Sequence, residues 1–306
     1  MNTPRTINEY LGQLRTALRG ADPALIQDAL YDAEEHLRAE LADRPGQGEA
    51  EMLAQVVGSY GAPEEVADIY RDQEVTIQRA LRPPVVPKRR SLLGRFFGVA
   101  ADPRTYGALF YMMLAIGTGI SYFTWAVVGL SLSGGLSVLI VGIPFIVLFV
   151  GTVRALSLME GRIVEAMLGV RMPRRPPYSG KGVPLLKRIG AMFTDPRTWT
   201  TLLYMVLMLP LGIVYFTVTV TLLAVALSAI AAPLLMLPGS LGLSDLFVGG
   251  HVTVDWGFGP HVPGWVDAIV LCPMGIVLLF ATLHLVRALG RVHGNFAKHL
   301  LVRSAA

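Results

Sequence analysis

Residues Asp102 to Thr124 read DPRTYGALFYMMLAIGTGISYFT, and 93 positions later Asp195 to Thr217 read DPRTWTTLLYMVLMLPLGIVYFT. Both stretches open on Asp-Pro-Arg-Thr and share a Tyr-Met, a Gly-Ile and a Tyr-Phe-Thr at matching places. Each is an apolar run of the roughly 20 residues that a helix needs to cross a hydrocarbon core of about 30 Å. The opening residues start such a helix. Asp accepts an amide as N-cap, and Pro occupies the first helical position, where a missing N–H costs nothing. Asp102, Pro103, Asp195 and Pro196 are therefore read as helix-cap junctions rather than as catalytic groups, and the chain as one that writes a membrane unit twice.

Composition points the same way. With 53% hydrophobic residues, 16% charged residues and a mean hydropathy of +0.53, the 306-residue chain carries more apolar surface than one soluble core would hide. Four runs are long enough to span, at about 106–131, 136–158, 199–232 and 264–289. The third exceeds what a span needs, which predicts tilt, a kink at Pro210 or an end outside the hydrocarbon. The single cysteine, Cys272, excludes an internal disulfide and a cysteine-based metal cage.

Basic residues lie on one side of this layout. Lys88, Arg89, Arg90 and Arg95 precede the first run; eight Lys or Arg fall between Arg162 and Arg197; Arg291, Lys298 and Arg303 follow the last. The segments 131–136 and 233–264 have none. The positive-inside bias then places both termini and the central connector in the cytoplasm, of a bacterial inner membrane, and the opening MNTPRTINEYLGQLR carries no secretory leader pattern. Two spans per copy make the duplication parallel, with both Asp-Pro junctions at the cytoplasmic face. In each copy an Arg- or Lys-studded apolar segment, SLLGRFFGVAADPRT and PLLKRIGAMFTDPRT, precedes the junction and reads as an amphipathic helix in the lipid interface.

Residues 1–82 have another character. Ile7, Leu11, Leu14 and Leu18, then Ile26, Leu30, Ala33, Leu37 and Leu41, then Met52, Val56 and Val57 recur at helical spacing, Gly61 ends the third helix, and Pro63-Glu64-Glu65 starts a fourth. The segment holds 15 Asp or Glu against 8 Arg, a net charge of −7. That excludes direct binding of nucleic acid, which needs cations to replace counterions, and suits a protein partner. The expected architecture is all-α: a small cytoplasmic bundle over 1–82, a Pro/basic linker over 83–90, a first two-span repeat over 91–175, and a second over 176–306 with an extracytoplasmic loop over 233–263 and a basic tail.

The order EYLGQLRTAL, YDAEEHL, GSYGAPEEVADIY resembles the HAAS domain, a helical signalling domain at the cytoplasmic N-terminus of bacterial membrane proteins. The chain departs from its usual pattern at Ala33, Leu37 and the extra Tyr60-Gly61, which shifts the central aromatic to Tyr31. From about 91 to 302 the chain resembles a bacterial four-span sensor domain also seen fused to histidine kinases, on DPRTW, LPLGIVYF and GIP followed by RALSLMEGRIVEAMLGVRMP. These resemblances imply a sensor or regulatory role with no catalytic residue and no cofactor, often beside PadR-like regulators as cytoplasmic partners. Self-association is left open.

Candidate sites follow from residue type and place. Arg154 and Arg287 occupy matching positions near the cytoplasmic ends of the second and fourth runs, and with Arg104 and Arg197 they are read as contacts to membrane-lipid headgroups. His284 precedes Arg287 by one helical turn and reads as a neutral, buried or interfacial ring. Glu160 and Glu165 near Arg162, and His36 beside Glu34 and Glu35, read as solvated surface groups. The outer loop inserts about 30 residues where the first copy has SLSGG, and holds Asp245, His251, Asp255, Trp256 and His261. The alternation in HVTVDWGF suggests a strand or hairpin, and the spacing of Asp and His matches no metal-site pattern. The loop is read as an ordered lid and as the place where a signal enters. The rival class, a transporter or channel component, finds no acidic residue inside the four runs except Asp267 near an outer end. No nucleophile, phosphate loop or metal pair marks an enzyme.

Overall fold

The computed structural model describes residues 4–44, 46–81, 91–138, 142–175, 194–240, 254–255, 260–261 and 264–302. The described chain is almost wholly helical. Helices α1 (Ile7–Ala17), α2 (Pro23–Asp43), α3 (Glu49–Tyr60) and α4 (Pro63–Leu81) come first. A short helix α5 (Leu92–Phe97) runs into a 3-10 turn (Gly98–Ala101), followed by α6 (Pro103–Leu136), α7 (Gly142–Leu168), α8 (Pro196–Ser240) and α9 (Trp265–Leu301). Contacts divide the chain into two compact units, one of Met1–Val85, Gly119–Leu209 and Arg291–Ala306, the other of Val86–Thr118 and Pro210–Gly290.

In the first unit, α1 to α4 close around one core. Ile7, Tyr10, Leu14 and Leu18 of α1 meet Ile26, Ala29, Ala33 and Leu37 of α2, Met52, Leu53 and Val56 of α3, and Val66 and Ala67 of α4. Leu30 and Leu41 sit at its rim, half-buried. Ala33, one of the departures from the HAAS-like pattern, is fully buried. Tyr10 is also fully buried, and its Oη donates to the carbonyl of Gly61 at 2.9 Å. That bond fastens α1 to the turn between α3 and α4. The turn needs its glycine: φ is +108°, and an added Cβ would stand 3.3 Å from Val66. Burial pushes the Tyr10 phenol above its ordinary value, helped by Tyr60, Glu64 and Glu65. His36 is not on a solvated face as expected: it is half-buried, with its ring stacked on Tyr60 at 4.4 Å.

Helices α6, α7, α8 as far as Leu234, and α9 are each long and apolar enough to span a membrane, and they make this a multi-pass membrane protein. Their boundaries differ from those of the apolar runs. The second begins at Gly142 and continues to Leu168, about ten residues beyond the run, because Glu, Ala, Met and Leu are good helix formers and Val164 is still covered. The amide of Gly169 closes it by donating to Glu165 O at 3.1 Å. The third continues through Pro233 to Ser240. Both Asp-Pro junctions cap their helices: Asp102 Oδ1 accepts the Arg104 amide at 3.0 Å, and Asp195 Oδ1 the Arg197 amide at 3.1 Å. The shared Gly-Ile positions serve close packing. A Cβ on Gly119 would lie 2.6 Å from Met208 O, and one on its repeat mate Gly212 would lie 2.3 Å from Ala115 O, so α6 and α8 approach backbone to backbone.

Candidate functional site

The acidic bundle finds basic partners in its own chain. From the N-cap of α2 onward, four side chains face Lys298 of α9, Arg197 of α8 and two arginines that follow α7. Asp22 pairs with Lys298 Nζ at 2.5 Å, Gln27 Oε1 accepts from Arg197 at 2.9 Å, Asp28 pairs with Arg171 at 3.2 Å, and Asp32 with Arg175 at 3.2 Å. Arg175 also lies 5.6 Å over the ring of Tyr31, the shifted aromatic.

Arg171 is the centre of this contact. Its guanidinium reaches Asp28 of α2 and Glu74 of α4, both at 3.2 Å, and Glu165 of α7 at 3.3 Å, and it donates to Met172 O at 2.8 Å. All four charged side chains are at most 9% exposed. Such a cluster holds only if each charge is compensated. Asp28 Oδ1 accepts the amides of Arg174 and Arg175 at 2.7 and 2.9 Å, and Arg174 Nη2 approaches Glu165 at 3.5 Å. Burial would lower Arg171, yet the carboxylates of Glu74, Asp28 and Glu165 hold it above its ordinary value. Burial pushes Asp28 up, opposed by the two amides and the guanidinium. Arg171 thus binds two helices of the bundle to the last turn of a span.

A second buried cluster lies among the spans of the same unit. Glu160 of α7 is 1% exposed; its Oε2 accepts from Tyr122 Oη of α6 at 2.9 Å and its Oε1 from Tyr204 Oη of α8 at 2.8 Å. Tyr204 Oη also stands 3.1 Å from Nε2 of His293 on α9, a ring with no exposure. A phenol has one proton. Tyr204 Oη gives its proton to Glu160, so towards His293 Nε2 it stands as the acceptor. One hydrogen-bonded chain therefore runs through all four spanning helices.

The reading of Glu160 and Glu165 as solvated pairs is overturned by this burial. Helix α7 outlasts its apolar run, and the segment after it folds back, with Met172 buried and packed near Gly161. The acidic group missing from the four runs is Glu160, two residues beyond the end assigned to the second. The arginines at matching positions also have protein partners. Arg154 Nη2 lies 3.3 Å from Asp195, and Arg287 Nη2 lies 2.5 Å from Asp102. Each Asp-Pro cap therefore pairs with the arginine of the other copy. His284 is half-buried, stacked on Phe96 at 5.5 Å, with Nε2 3.1 Å from Phe96 O.

Of the outer-loop residues, Asp245, His251 and Trp256 lie outside the described residues. Asp255 and His261 belong to a minimal antiparallel pairing, β1 (Val254–Asp255) with β2 (Pro260–His261), where Val254 faces His261 and Asp255 faces Pro260. Among the described residues no group of three or more His, Cys, Asp or Glu stands close enough to hold a metal. Neither buried cluster was named from the sequence, although one signal was present: 1–82 is acidic, and eight cations crowd the connector.

Comparison with known proteins adds two matches. A family described as "Putative sensor" matches residues 111–301, and the family HAAS matches residues 9–69. No curated protein and no solved structure matches.

Proposed function

We propose that this chain, which belongs to the "Putative sensor" family and carries a HAAS module ahead of it, is a non-catalytic regulator whose bundle reports the state of the spans to a cytoplasmic protein. The observation that carries the reading is Arg171, which neutralises two acidic groups of the bundle and one at the end of α7 in one buried cluster. A shift of α7 moves Glu165 and changes what Arg171 offers Asp28 and Glu74. Docked and released bundles would then differ in the acidic surface shown to a partner. The resemblance to HAAS proteins favours a regulator of the PadR-like type as that partner. The outer loop is the proposed entry for the signal, and both termini are proposed to be cytoplasmic.

The test is photocrosslinking in cells of the native host. A benzophenone amino acid replaces Ile69, which is 53% exposed on α4. A cytoplasmic protein should be captured, and Arg171→Met should change the yield several-fold at equal expression. Equal capture with and without Arg171 refutes coupling through the cluster.

A further inference from the structure

Residues 171–175, Arg-Met-Pro-Arg-Arg, follow α7 without helix or strand and lie against α2 and α4 of the bundle. Their contacts sort by side. Towards the bundle the segment uses its two outer arginines and its backbone. Arg171 reaches Asp28 and Glu74, and Arg175 pairs with Asp32 and lies over Tyr31. The amides of Arg174 and Arg175 donate to Asp28 Oδ1, and Gln27 Nε2 donates to Arg175 O at 2.7 Å. Towards α7 it uses the other side chains: Met172 packs near Gly161, and Arg174 Nη2 approaches Glu165, which Arg171 touches as well. Pro173 has no N–H that needs an acceptor. The bundle therefore reads two guanidinium groups four residues apart, two amides and a carbonyl. Backbone groups are common to every chain, so only the arginines carry identity.

The bundle side of this contact is built by the bundle itself. Asp28, Tyr31 and Asp32 share one face of α2 by their spacing, while Ile26, Ala29, Ala33 and Leu37 of the same helix enter the core. Tyr70 Oη of α4 donates to Asp32 Oδ2 at 3.0 Å and so holds that carboxylate towards Arg175. A groove fixed in this way loses little freedom when it is filled. Its chemistry also selects arginine over lysine. Arg171 offers Nε to Glu74 and Nη2 to Asp28, on two different helices, and a compact ammonium has no such fork.

We infer that this groove of α2 and α4 is a recognition site for a non-helical Arg-x-x-x-Arg segment of the partner protein, and that residues 171–175 are an internal competitor seated in it. The inference rests on the signalling reading, which has the bundle docked or released; it adds what takes the vacated place. Release of the bundle from Arg171 and Arg175 frees Asp28, Asp32 and the side-chain amide of Gln27 together, so a partner segment gains every contact that the internal one gives up. Being tethered, the internal segment holds a high local concentration, and the groove opens to another protein only when the spans draw it away.

The probe is a fluorescein-labelled peptide GVRMPRRPP, the sequence of residues 169–177, added to the full chain in neutral detergent and followed by anisotropy. Arg171→Met combined with Arg175→Met weakens the internal competitor. This variant should bind the peptide saturably, about tenfold or more tighter than the parent does. Alanine at both arginines of the peptide, or Asp28→Asn added to the variant, should weaken binding about tenfold or more, the loss of a hydrogen bond between charged groups. Arg171→Lys, a milder release, should fall between parent and double variant, and it decides the matter if the double variant loses the helical circular dichroism of its bundle. Equal binding of the two peptides, binding that Asp28→Asn leaves intact, or no binding by either released variant overturns the site. Mixed dimers of double variant and parent would assign the groove to a second copy of this chain and overturn the separate partner. The two ideas fail by different readouts: peptide binding without Arg171-dependent capture from position 69 removes the signalling reading and keeps the groove, and the reverse removes the groove alone.

Discussion

Replacing Arg171 by Met keeps most of the side-chain stem and removes the guanidinium from a buried cluster. Three ion pairs are lost, at 3.2 Å to Asp28, 3.2 Å to Glu74 and 3.3 Å to Glu165, between groups no more than 9% exposed. Removing one partner of a buried pair costs about 3–5 kcal/mol, because the other charge is left uncompensated. Here the loss is moderated: Asp28 keeps two backbone amides and Glu165 keeps Arg174. The lower end, about 3 kcal/mol, is the working figure, equivalent to roughly a 150-fold drop in the ratio of docked to released bundle. The amides of Arg174 and Arg175 donate to Asp28 only while the bundle is docked, so their hydrogen exchange in nanodiscs should accelerate by about that factor. Lys at 171 should restore only part of the protection, since a compact ammonium lacks the planar fork that reaches several carboxylates. Unchanged exchange at both amides in Arg171→Met would refute the claim that this cluster holds the bundle.

The spans offer a parallel test at Glu160: a Gln there presents one acceptor oxygen where two phenols now donate, so thermal stability of the purified chain should fall, by about 1–3 kcal/mol, and an unchanged melting curve would exclude the Tyr122–Glu160–Tyr204 geometry. In the bundle, Leu37→Asp should unfold residues 1–82, judged by loss of helical circular dichroism, because Leu37 has no exposure, whereas Leu30→Asp at the rim should cost less. Alkali should loosen the bundle too. The phenol of Tyr10 is raised above 10.0 in the folded state, so the unfolded chain releases its proton first; the stabilisation is complete below pH 10 and lost above it. Tyr10→Phe should flatten that decline, and an unfolding free energy constant to pH 11 would contradict it. For orientation, a Cys272→Ala background with Gly180→Cys or Ser240→Cys should label only at 240 when an impermeant maleimide meets intact spheroplasts, and labelling at 180 would reverse the proposed topology.

Much of the architecture was decided by local and periodic properties. Asp-Pro followed by about 20 apolar residues specifies a capped spanning helix wherever it is placed, since capping and hydrophobic length act within one segment. The same holds for the bundle, where Leu14, Leu37 and Met52 at helical spacing sit in the core. What sequence periodicity could not supply was the pairing of distant groups. Glu160 and Glu165 look alike in the one-dimensional chain, both acidic and both near Arg162, yet one is held by two tyrosines among the spans and the other by an arginine under the bundle. A charge is read as solvated by default because desolvation is costly, and only the tertiary structure shows the donors that offset the cost.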